Sequence, residues 1–232
     1  MLEIDVVKRL GGFSLEVRAN IAEAGITALV GPSGAGKSTA AKLMAGLLAP
    51  DRGRIAFNGT VFFDSAAGVN IPAERRGIGF VFQEHRLFPH MSVMRNLAYG
   101  SFAGGRRTKA DLLRTAEIFG ISALLDRRPD TLSGGESQRV SLARAILAAE
   151  NFIIMDEPLS SLDEARRDDL MGYIERIPGH FGLPIIYITH SREEVMRLAK
   201  NVILIEEGRV KGRGSPAGLM GRGGSASREC QE

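Results

Sequence analysis

Hydrophobic positions recur along the chain in two spacings, and their alternation predicts the fold class. Continuous apolar runs at Ile26–Val30, Phe152–Met155 and Ile185–Thr189 are typical of strands buried on both faces of a parallel sheet. Apolar residues at helical spacing follow the later two runs, over Glu164–Ile177 and Ser191–Ala199. Strands that alternate with helices imply parallel crossovers, so we expect an α/β fold with helices on both faces of its core sheet.

Shorter strands, one with clear alternation of apolar and polar residues, predict a second, antiparallel region. They lie at Leu2–Val7, Phe13–Ala19, Arg54–Phe57 and Val61–Asp64, and the last two flank an Asn-Gly pair at 58–59. Asn-Gly between two strands favours a tight hairpin. We therefore expect a small antiparallel β subdomain beside the parallel core.

A helical pattern replaces the strands in the middle of the chain. Three stretches at helical spacing, Val93–Tyr99, Lys109–Phe119 and Gly134–Ala149, fall within about residues 86–150. They predict a helical subdomain inserted into the α/β core.

The strand and helix pattern ends near residue 212, which sets the expected domain boundaries. We expect one domain over 1–212, with its core in about 1–85 and 151–212. The remaining residues, 213–232, are rich in glycine and serine without any period, and we expect this tail to be disordered.

Composition excludes several classes of protein. With 44% apolar and 25% charged residues, the 232-residue chain can bury a sizeable core. No apolar run approaches the roughly 20 residues of a membrane-spanning helix, and the acids Glu3 and Asp5 stand where a signal peptide is basic. The single Cys230 can form neither an internal disulfide nor a cysteine metal site. These features favour a protein of the reducing cytosol.

The net charge of +3 identifies no partner by itself. Basic pairs such as Arg75-Arg76 and Arg166-Arg167 are usually solvated surface, although they also suit phosphates or lipid headgroups. Nucleic acid is therefore a subordinate alternative and not the partner that we expect.

The strongest chemical signal follows the strand Ile26–Val30. There the chain reads G-P-S-G-A-G-K-S, which satisfies the phosphate-loop pattern G-x-x-x-x-G-K-[ST]. Glycines let the backbone curl around an anion, the start of the next helix adds favourable dipoles, and Lys37 and Ser38 suit phosphate and Mg²⁺. The residues expected to bind the nucleotide are Gly31, Pro32, Ser33, Gly34, Ala35, Gly36, Lys37, Ser38 and Thr39.

Two acids follow the buried strand Phe152–Met155. Asp156 is in a position to hold magnesium, and Glu157 to polarise an attacking water. Adjacent acids after a strand also serve as caps, but the phosphate loop favours the catalytic interpretation. The pair predicts nucleotide hydrolysis, which many ATPases and kinases share.

The segment before the long helix narrows the class. It reads L-S-G-G-E-S-Q-R over 132–139 and resembles the signature sequence of ATP-binding cassette (ABC) proteins, with Glu136 where many members have glutamine. Ser133 and Glu136 also have the spacing of a capping box, so a well-capped helix is the simpler interpretation. A cap does not need two consecutive glycines. Gly134 and Gly135 leave backbone N–H groups accessible to a second phosphate.

Three further positions resemble ABC elements in chain order. Gln83, after the strand Ile78–Phe82, resembles the Q-loop glutamine. Asp163 ends a run S-S-L-D that resembles the D-loop, and His190 resembles the switch histidine. The resemblance covers about residues 1–212. It implies a RecA-like P-loop NTPase core with a parallel sheet, a small antiparallel β subdomain and an inserted helical subdomain.

The same resemblance implies a role for each residue, with ATP and Mg²⁺ as the cofactors. The catalytic residues would be Glu157, His190 and Gln83; the metal ligands would be Ser38, Gln83 and Asp156; and Ser133, Gly134, Gly135 and Asp163 would join the phosphate loop in binding ATP.

ABC ATPases of this type work as head-to-tail pairs, so the resemblance implies a homodimer with two composite ATP sites. It also implies a cytoplasmic location, peripheral on the inner face of the cell membrane. Permease subunits would contact the segment Gln83–Met91, and a periplasmic substrate-binding protein would take part indirectly.

Three segments resemble the ATPase subunit of bacterial molybdate importers: Val81–His90, Leu125–Arg127 and Gly25–Ala28. Members of that group usually carry a C-terminal oxyanion-binding domain, for which this chain is too short, so it is either truncated or a natural short form. We expect an ATPase for molybdate or tungstate import. The alternatives are an importer ATPase for another anion such as sulfate or phosphate, and a non-transport ABC ATPase acting on nucleic acid.

The adenine base has no obvious partner. ABC ATPases usually stack it on an aromatic residue upstream of the phosphate loop, and Phe13 is the aromatic candidate there. Its alternation with Leu15 and Val17 also suits a core strand. The sequence leaves two alternatives: adenine stacks on Phe13, or another group binds it.

Overall fold

The structure, a computed structural model, describes residues 1–21, 24–83, 87–104, 108–160 and 162–220. The strands are β1 Leu2–Leu10, β2 Phe13–Ile21, β3 Ile26–Val30, β4 Arg52–Phe57, β5 Thr60–Asp64, β6 Val69–Asn70, β7 Ile78–Val81, β8 Phe152–Asp156, β9 Ile185–Ile188, β10 Asn201–Glu206 and β11 Arg209–Gly214. The α-helices are α1 Lys37–Ala45, α2 Val93–Gly104, α3 Lys109–Ile118, α4 Gly134–Ala148, α5 Glu164–Phe181, α6 Arg192–Leu198 and α7 Pro216–Met220. None of these helices combines the length and the apolar character that crossing a bilayer requires.

The strands form one sheet in the order β6-β5-β4-β1-β2-β11-β10-β3-β9-β8-β7. Strands β10, β3, β9, β8 and β7 pair in parallel, whereas β2, β1, β4, β5 and β6 pair antiparallel. At the predicted hairpin, Asn58 and Gly59 have φ of 47° and 82°, and Phe57 pairs with Thr60. The predicted α/β class, with a parallel core and a small antiparallel region, is confirmed.

Strand β8 explains why its sequence is a continuous apolar run. Ile153 and Met155 point into a core that they share with the helices α2 to α5, while Phe152 and Ile154 point into the core that contains α1 and the antiparallel strands. A strand covered on both faces has no solvent side and therefore no alternation.

The C-terminal boundary of the fold lies further along the chain than predicted. Arg213 and Gly214 belong to β11, and α7 brings Leu219 and Met220 against a small core that includes Val195. The expectation of disorder is therefore wrong for residues 213–220. Strand β11 was hard to recognise because it is polar and held by pairing with β10. Residues 221–232, with Cys230, lie outside the described part of the chain.

One residue of the basic pair Arg75-Arg76 is not surface. The Arg76 side chain is fully buried, and its guanidinium donates to the carbonyl oxygens of Leu43 at 3.0 Å, Met44 at 2.9 Å and Ile71 at 2.8 Å. Burial lowers the pKa of Arg76 to about 10. Its charge lies at the carboxyl end of α1, where the helix dipole favours a cation. The interpretation of this pair as solvated surface is wrong for Arg76.

Candidate functional site

The phosphate loop connects β3 to α1. At two of its glycines, both the backbone conformation and the close neighbours disfavour any side chain. Gly31 and Gly36 have φ of 148° and 102°, a region that side chains disfavour. A Cβ atom at Gly31 would overlap the carbonyl oxygen of Ile205, and one at Gly36 would lie 2.6 Å from Cδ1 of Leu15. Strands β10 and β2 thus hold the loop backbone in a tight curl before the helix begins.

Lys37 supplies the positive charge inside this curl. Its side chain is almost fully buried, and Nζ donates to the carbonyl oxygens of Gly31 and Pro32, both at 2.8 Å. Pro32, Ser33 and Gly34 are exposed at the rim. A buried ammonium beside an open loop at a helix N-terminus fits a phosphate group.

Ser38 joins the loop to the end of β8. Its Oγ donates to Oδ1 of Asp156 at 2.9 Å. Burial raises the pKa of Asp156, and the neighbouring charge of Glu157 adds to the rise, although the hydrogen bond from Ser38 opposes it. A hydroxyl and a carboxylate oxygen are ligands that suit Mg²⁺, which keeps waters and phosphate oxygens for its other positions. A bound cation would also reduce the repulsion between the charges of Asp156 and Glu157. Ser38 and Asp156 therefore fit a magnesium ion.

Glu157 and His190 meet at the ends of two neighbouring strands. Glu157 has φ of 47°, which is uncommon for a residue other than glycine, and its N–H donates to the carbonyl oxygen of Ile188 at 3.0 Å. Its Oε1 lies 3.4 Å from Nδ1 of His190. The strained backbone directs the carboxylate towards the imidazole, and strain of this kind is concentrated at functional sites.

These side chains share one edge of the sheet because the strands that carry them are parallel. The phosphate loop follows β3, His190 follows β9, and Asp156 and Glu157 end β8. Gln83 lies two residues beyond β7, the next strand, and is exposed. The carboxyl ends of parallel strands are where ligands of open α/β sheets bind. Residues 84–86 lie outside the described part of the chain.

A cavity of about 760 Å³ opens beside the phosphate loop. Phe13, Pro32, Ser33 and Gly34 line it, together with Glu206, Glu207, Arg209 and Lys211. Its volume is in the range typical of ligand pockets. Phe13 is half-buried and packs against the loop as well as lining the cavity.

The signature segment forms a separate cluster. Ser133 caps α4: its Oγ accepts from the N–H of Glu136 at 3.3 Å, and its own N–H donates to Oε2 of Glu136 at 2.7 Å. That second bond is the main cause of the lowered pKa of Glu136. Among the described residues, a Cβ at Gly134 would meet no atom within 4 Å, and one at Gly135 would meet only Cδ of Arg166, at 4.0 Å. Packing against the described part of the chain therefore does not require either glycine.

The structure does not bring the signature segment and the phosphate loop together. Within the described ranges, no hydrogen bond or ion pair joins 133–135 to 31–39. Asp163 caps α5: its Oδ1 accepts from the N–H of Arg166 at 3.0 Å. Ser161, two residues earlier, lies outside the described residues.

Two buried polar side chains near the site were not predicted. Gln138 on α4 donates to the carbonyl oxygen of Pro158, directly after Glu157. Glu194 on α6 accepts from Thr189, directly before His190, at 2.7 Å. Both are spaced by four residues from a buried leucine on the same helix, Leu142 or Leu198. Residues four positions apart lie on the same face of a helix, so the spacing from a leucine indicates that Gln138 and Glu194 are on the buried face.

Comparisons with known proteins agree with this geometry. The sequence profile of a family described as ABC transporter matches residues 15–160, more than half of the chain. "Molybdenum import ATP-binding protein ModC" of Paramagnetospirillum magneticum is 46% identical over 223 residues, which is 95% of this chain and 61% of that protein. The protein of the same name from Rhizobium meliloti is 46% identical over 220 residues, 94% of this chain and 61% of its own.

The chain therefore spans about three fifths of the length of these curated relatives. Among solved structures, cbiO1 from Clostridium perfringens, described as part of the ABC transporter complex cbiONQ, superposes with a TM-score of 0.82 at 27% identity. That similarity covers 95% of this chain and 90% of the other.

Asp156→Asn is expected to stabilise the nucleotide-free protein, because it removes a charge that is buried beside Glu157 while its amide oxygen still accepts from Ser38. Since the pKa of Asp156 is raised on folding, its contribution to stability falls as the pH rises through that pKa. The gain is on the order of 1 kcal/mol, or about 2–4 °C in Tm, near neutral pH.

Thermal unfolding of both proteins at about pH 7.5 and about pH 4 measures this gain, which is expected to shrink at the lower pH. Asp130→Asn, at an exposed position, serves as the control. A lower Tm for Asp156→Asn near neutral pH would contradict the electrostatic interpretation.

Proposed function

Since the chain belongs to the ABC transporter family, we propose that it is the ATP-binding and ATP-hydrolysing subunit of an importer and that the importer carries molybdate. The observation that supports hydrolysis most strongly is the shared sheet edge, where Ser38 meets Asp156 at 2.9 Å and Glu157 lies 3.4 Å from His190. The observation that supports molybdate is the name of relatives that are 46% identical over nearly the whole chain.

In this proposal the phosphate loop binds the phosphates of ATP. The backbone curl at Gly31–Gly36 and the buried charge of Lys37 neutralise the anion, and the start of α1 adds its dipole. Ser38, Asp156 and Gln83 would hold Mg²⁺, which when bound screens the charge of the phosphate oxygens. The contribution of the protein is to keep the hydroxyl and the carboxylate in place before the ion arrives.

Glu157 acts on the attacking water. Its carboxylate accepts a proton as the water oxygen bonds to the γ-phosphorus, the bond from that phosphorus to the ADP oxygen breaks, and ADP and inorganic phosphate are released. His190, which follows β9, would contact the γ-phosphate, and Gln83 would help to hold the metal and the water. The left-handed backbone at Glu157 supports this proposal, since it directs the side chain out of the sheet edge.

A second copy of the chain completes the ATP site. Within the described ranges no hydrogen bond joins Ser133, Gly134 or Gly135 to the phosphate loop of the same chain, and no contact there requires glycine at the latter two positions. Open amides at the start of α4 suit a phosphate that approaches from outside. The proposed assembly is a head-to-tail homodimer, with Asp163 near the interface.

The membrane partner is proposed to contact the segment Gln83–Met91. The described part of this segment is tied to α2 by Asn96, whose side chain accepts from the N–H of Phe88 at 2.9 Å and donates to the carbonyl oxygens of Phe88 at 3.1 Å and Met91 at 3.2 Å. The ring of Phe88 packs on Tyr99, which is 53% exposed. A permease docked here would be linked through a short segment to Gln83.

This partner implies a position on the cytoplasmic face of the cell membrane, with a periplasmic binding protein acting on the other side. The proposal includes no nucleic-acid partner, and the transported ion contacts other subunits rather than this chain. Identification of the ion as molybdate instead of sulfate or phosphate therefore depends on the relatives alone.

Uptake by whole cells tests the transported ion. Removal of the gene for this chain from its own host is expected to abolish uptake of radioactive molybdate at trace concentration and to leave sulfate uptake unchanged. The wild-type gene is expected to restore uptake, and a Glu157→Gln gene is not. Loss of sulfate uptake alone would assign the importer to sulfate. Purification of the chain with nucleic acid and without a polytopic membrane protein would contradict the transport function.

Glu157→Gln is expected to lower kcat for ATP hydrolysis by about 10²–10⁴-fold, the usual effect of losing a positioned acid–base group. Nucleotide affinity should change less than about twofold, and ATP should drive the variant into dimers that sedimentation detects. Glu150→Gln is the matched control, since Glu150 is an exposed acid just before the opposite end of β8. Near-normal hydrolysis by Glu157→Gln would remove this residue from the proposed role.

Gly134→Ala tests the composite site without disturbing the monomer. A Cβ at this position meets no atom within 4 Å in the described part of the chain, so we expect normal folding and normal nucleotide binding. Hydrolysis should fall at least about tenfold if a phosphate of the second copy must approach the same backbone. Gly179→Ala, in α5 and equally free of neighbours, is the control for alanine in a helix. Full activity of Gly134→Ala would contradict the composite site.

A further inference from the structure

Glu194 is a buried acid that the proposed mechanism does not use. Its residue is 4% exposed, and it lies in the first turn of α6, four positions after His190. Its Oε2 accepts two hydrogen bonds, from Oγ1 of Thr189 at 2.7 Å and from the hydroxyl of Tyr187 at 2.9 Å. Burial raises the pKa of Tyr187 well above its ordinary value, so this hydroxyl keeps its proton and donates a hydrogen bond to the carboxylate.

Glu194 is hydrogen-bonded to both neighbours of His190, to Thr189 through its carboxylate and to Ser191 through its backbone N–H. Thr189 Oγ1, which donates to Glu194, also accepts from the N–H of Ser191 at 3.0 Å. Oγ of Ser191 accepts in turn from the N–H of Glu194 at 3.3 Å. The His190 side chain is 68% exposed, so its position is set mainly by the turn that carries it. That turn is closed by hydrogen bonds that lead to Glu194 on either side.

The other oxygen of Glu194 faces a second functional segment. Nε of Arg167 lies 4.0 Å from Oε1, is buried, and has no hydrogen-bond partner among the described residues, so the carboxylate is the group that balances its charge. Another nitrogen of the same guanidinium donates to the carbonyl oxygen of Leu162 at 3.4 Å. Leu162 directly precedes Asp163, which begins α5. An ion pair between the buried Glu194 and the partly buried Arg167 therefore links the start of α5 to the turn at His190.

Burial of a carboxylate costs desolvation free energy unless the charge is paired and hydrogen-bonded. An apolar residue at this position of α6 would pack without that cost. The directional bonds of Glu194 instead fix where Thr189 and Ser191 lie. We propose that Glu194 is a positioning residue for hydrolysis: it holds the turn that presents His190 and, through Arg167, ties that turn to the segment Leu162–Asp163. This inference rests on the proposed role of His190 in ATP hydrolysis.

Glu194→Gln tests the proposal, because the amide keeps the shape of the side chain but loses the charge that faces Arg167. We expect kcat to fall by about 10- to 100-fold, as for other small displacements of catalytic groups, while KM for ATP changes less than about twofold. The loss should be absent in the background of His190→Ala, since Glu194 acts through that residue. Equal loss in both backgrounds would show a general structural effect and overturn the proposal.

The matched control is Asp168→Asn. Asp168 on α5 pairs with Arg197 on α6 at 2.9 Å. This pair joins the same two helices as Arg167 and Glu194 do, but it lies at the exposed surface. Its replacement is expected to leave kcat within about twofold of wild type. A loss as large as that of Glu194→Gln would mean that any contact between these helices has the same effect.

A second pair of variants covers the case in which Glu194→Gln does not fold. Thr189→Val removes the hydroxyl that donates a hydrogen bond to Glu194, whereas Thr189→Ser keeps this hydroxyl. We expect Thr189→Ser to retain more activity than Thr189→Val, with KM for ATP similar in both. Equal activity of the two would overturn the proposal.

The ring signals of His190 in an NMR spectrum, assigned by their loss in His190→Ala, test the positioning without any hydrolysis. They should shift or broaden in Glu194→Gln and Thr189→Val and stay unchanged in Asp168→Asn. A wild-type chain that hydrolyses no ATP but shows these changes would contradict the proposed function and retain the positioning role. Active wild type with unchanged His190 signals and unchanged kcat in Glu194→Gln would contradict the inference alone.

Discussion

The hydrogen bond between Ser38 and Asp156 fixes the start of α1 against the end of β8, and the geometry of the whole sheet edge depends on it. The opposite end of the same helix is held by the buried guanidinium of Arg76, which binds the carbonyl oxygens of Leu43 and Met44. A short helix fixed at both ends cannot slide along the sheet. The phosphate loop that leads into it is therefore preorganised before any phosphate binds, so less conformational entropy is lost on binding.

This arrangement has an electrostatic cost in the free protein. Asp156 and Glu157 are adjacent at a partly buried strand end, and the raised pKa of Asp156 reports the penalty. Lys37 is near enough to offset part of it, but its ammonium donates to loop carbonyls instead of to the acids. A cation and a polyphosphate together would pair both sets of charges. The unfavourable charge distribution of the empty site is thus what makes the bound state favourable.

Local residue patterns predicted most of the fold, and they are the basis of the proposed site. Strand β3 is predicted to the residue, and the glycines, Lys37, Ser38 and the acids after β8 were identified because their spacing is a local property. Arg76 and Glu194 were not recognised, since their roles depend on partners that only the folded chain brings near, such as Leu43 for Arg76. Strand β11 was not recognised because backbone pairing, which leaves no trace in hydrophobicity, holds it in place.

Polar side chains also connect the helical insertion to the catalytic edge. Gln138 on α4 donates to the carbonyl oxygen of Pro158, so the helix that begins at the signature segment is attached to the backbone just after Glu157. Asn96 on α2 holds the segment that follows Gln83 by several hydrogen bonds. Side-chain to backbone bonds of this kind transmit displacement better than apolar contacts, because their geometry is directional. A displacement of the helical insertion would therefore reach the backbone next to Glu157 through Gln138.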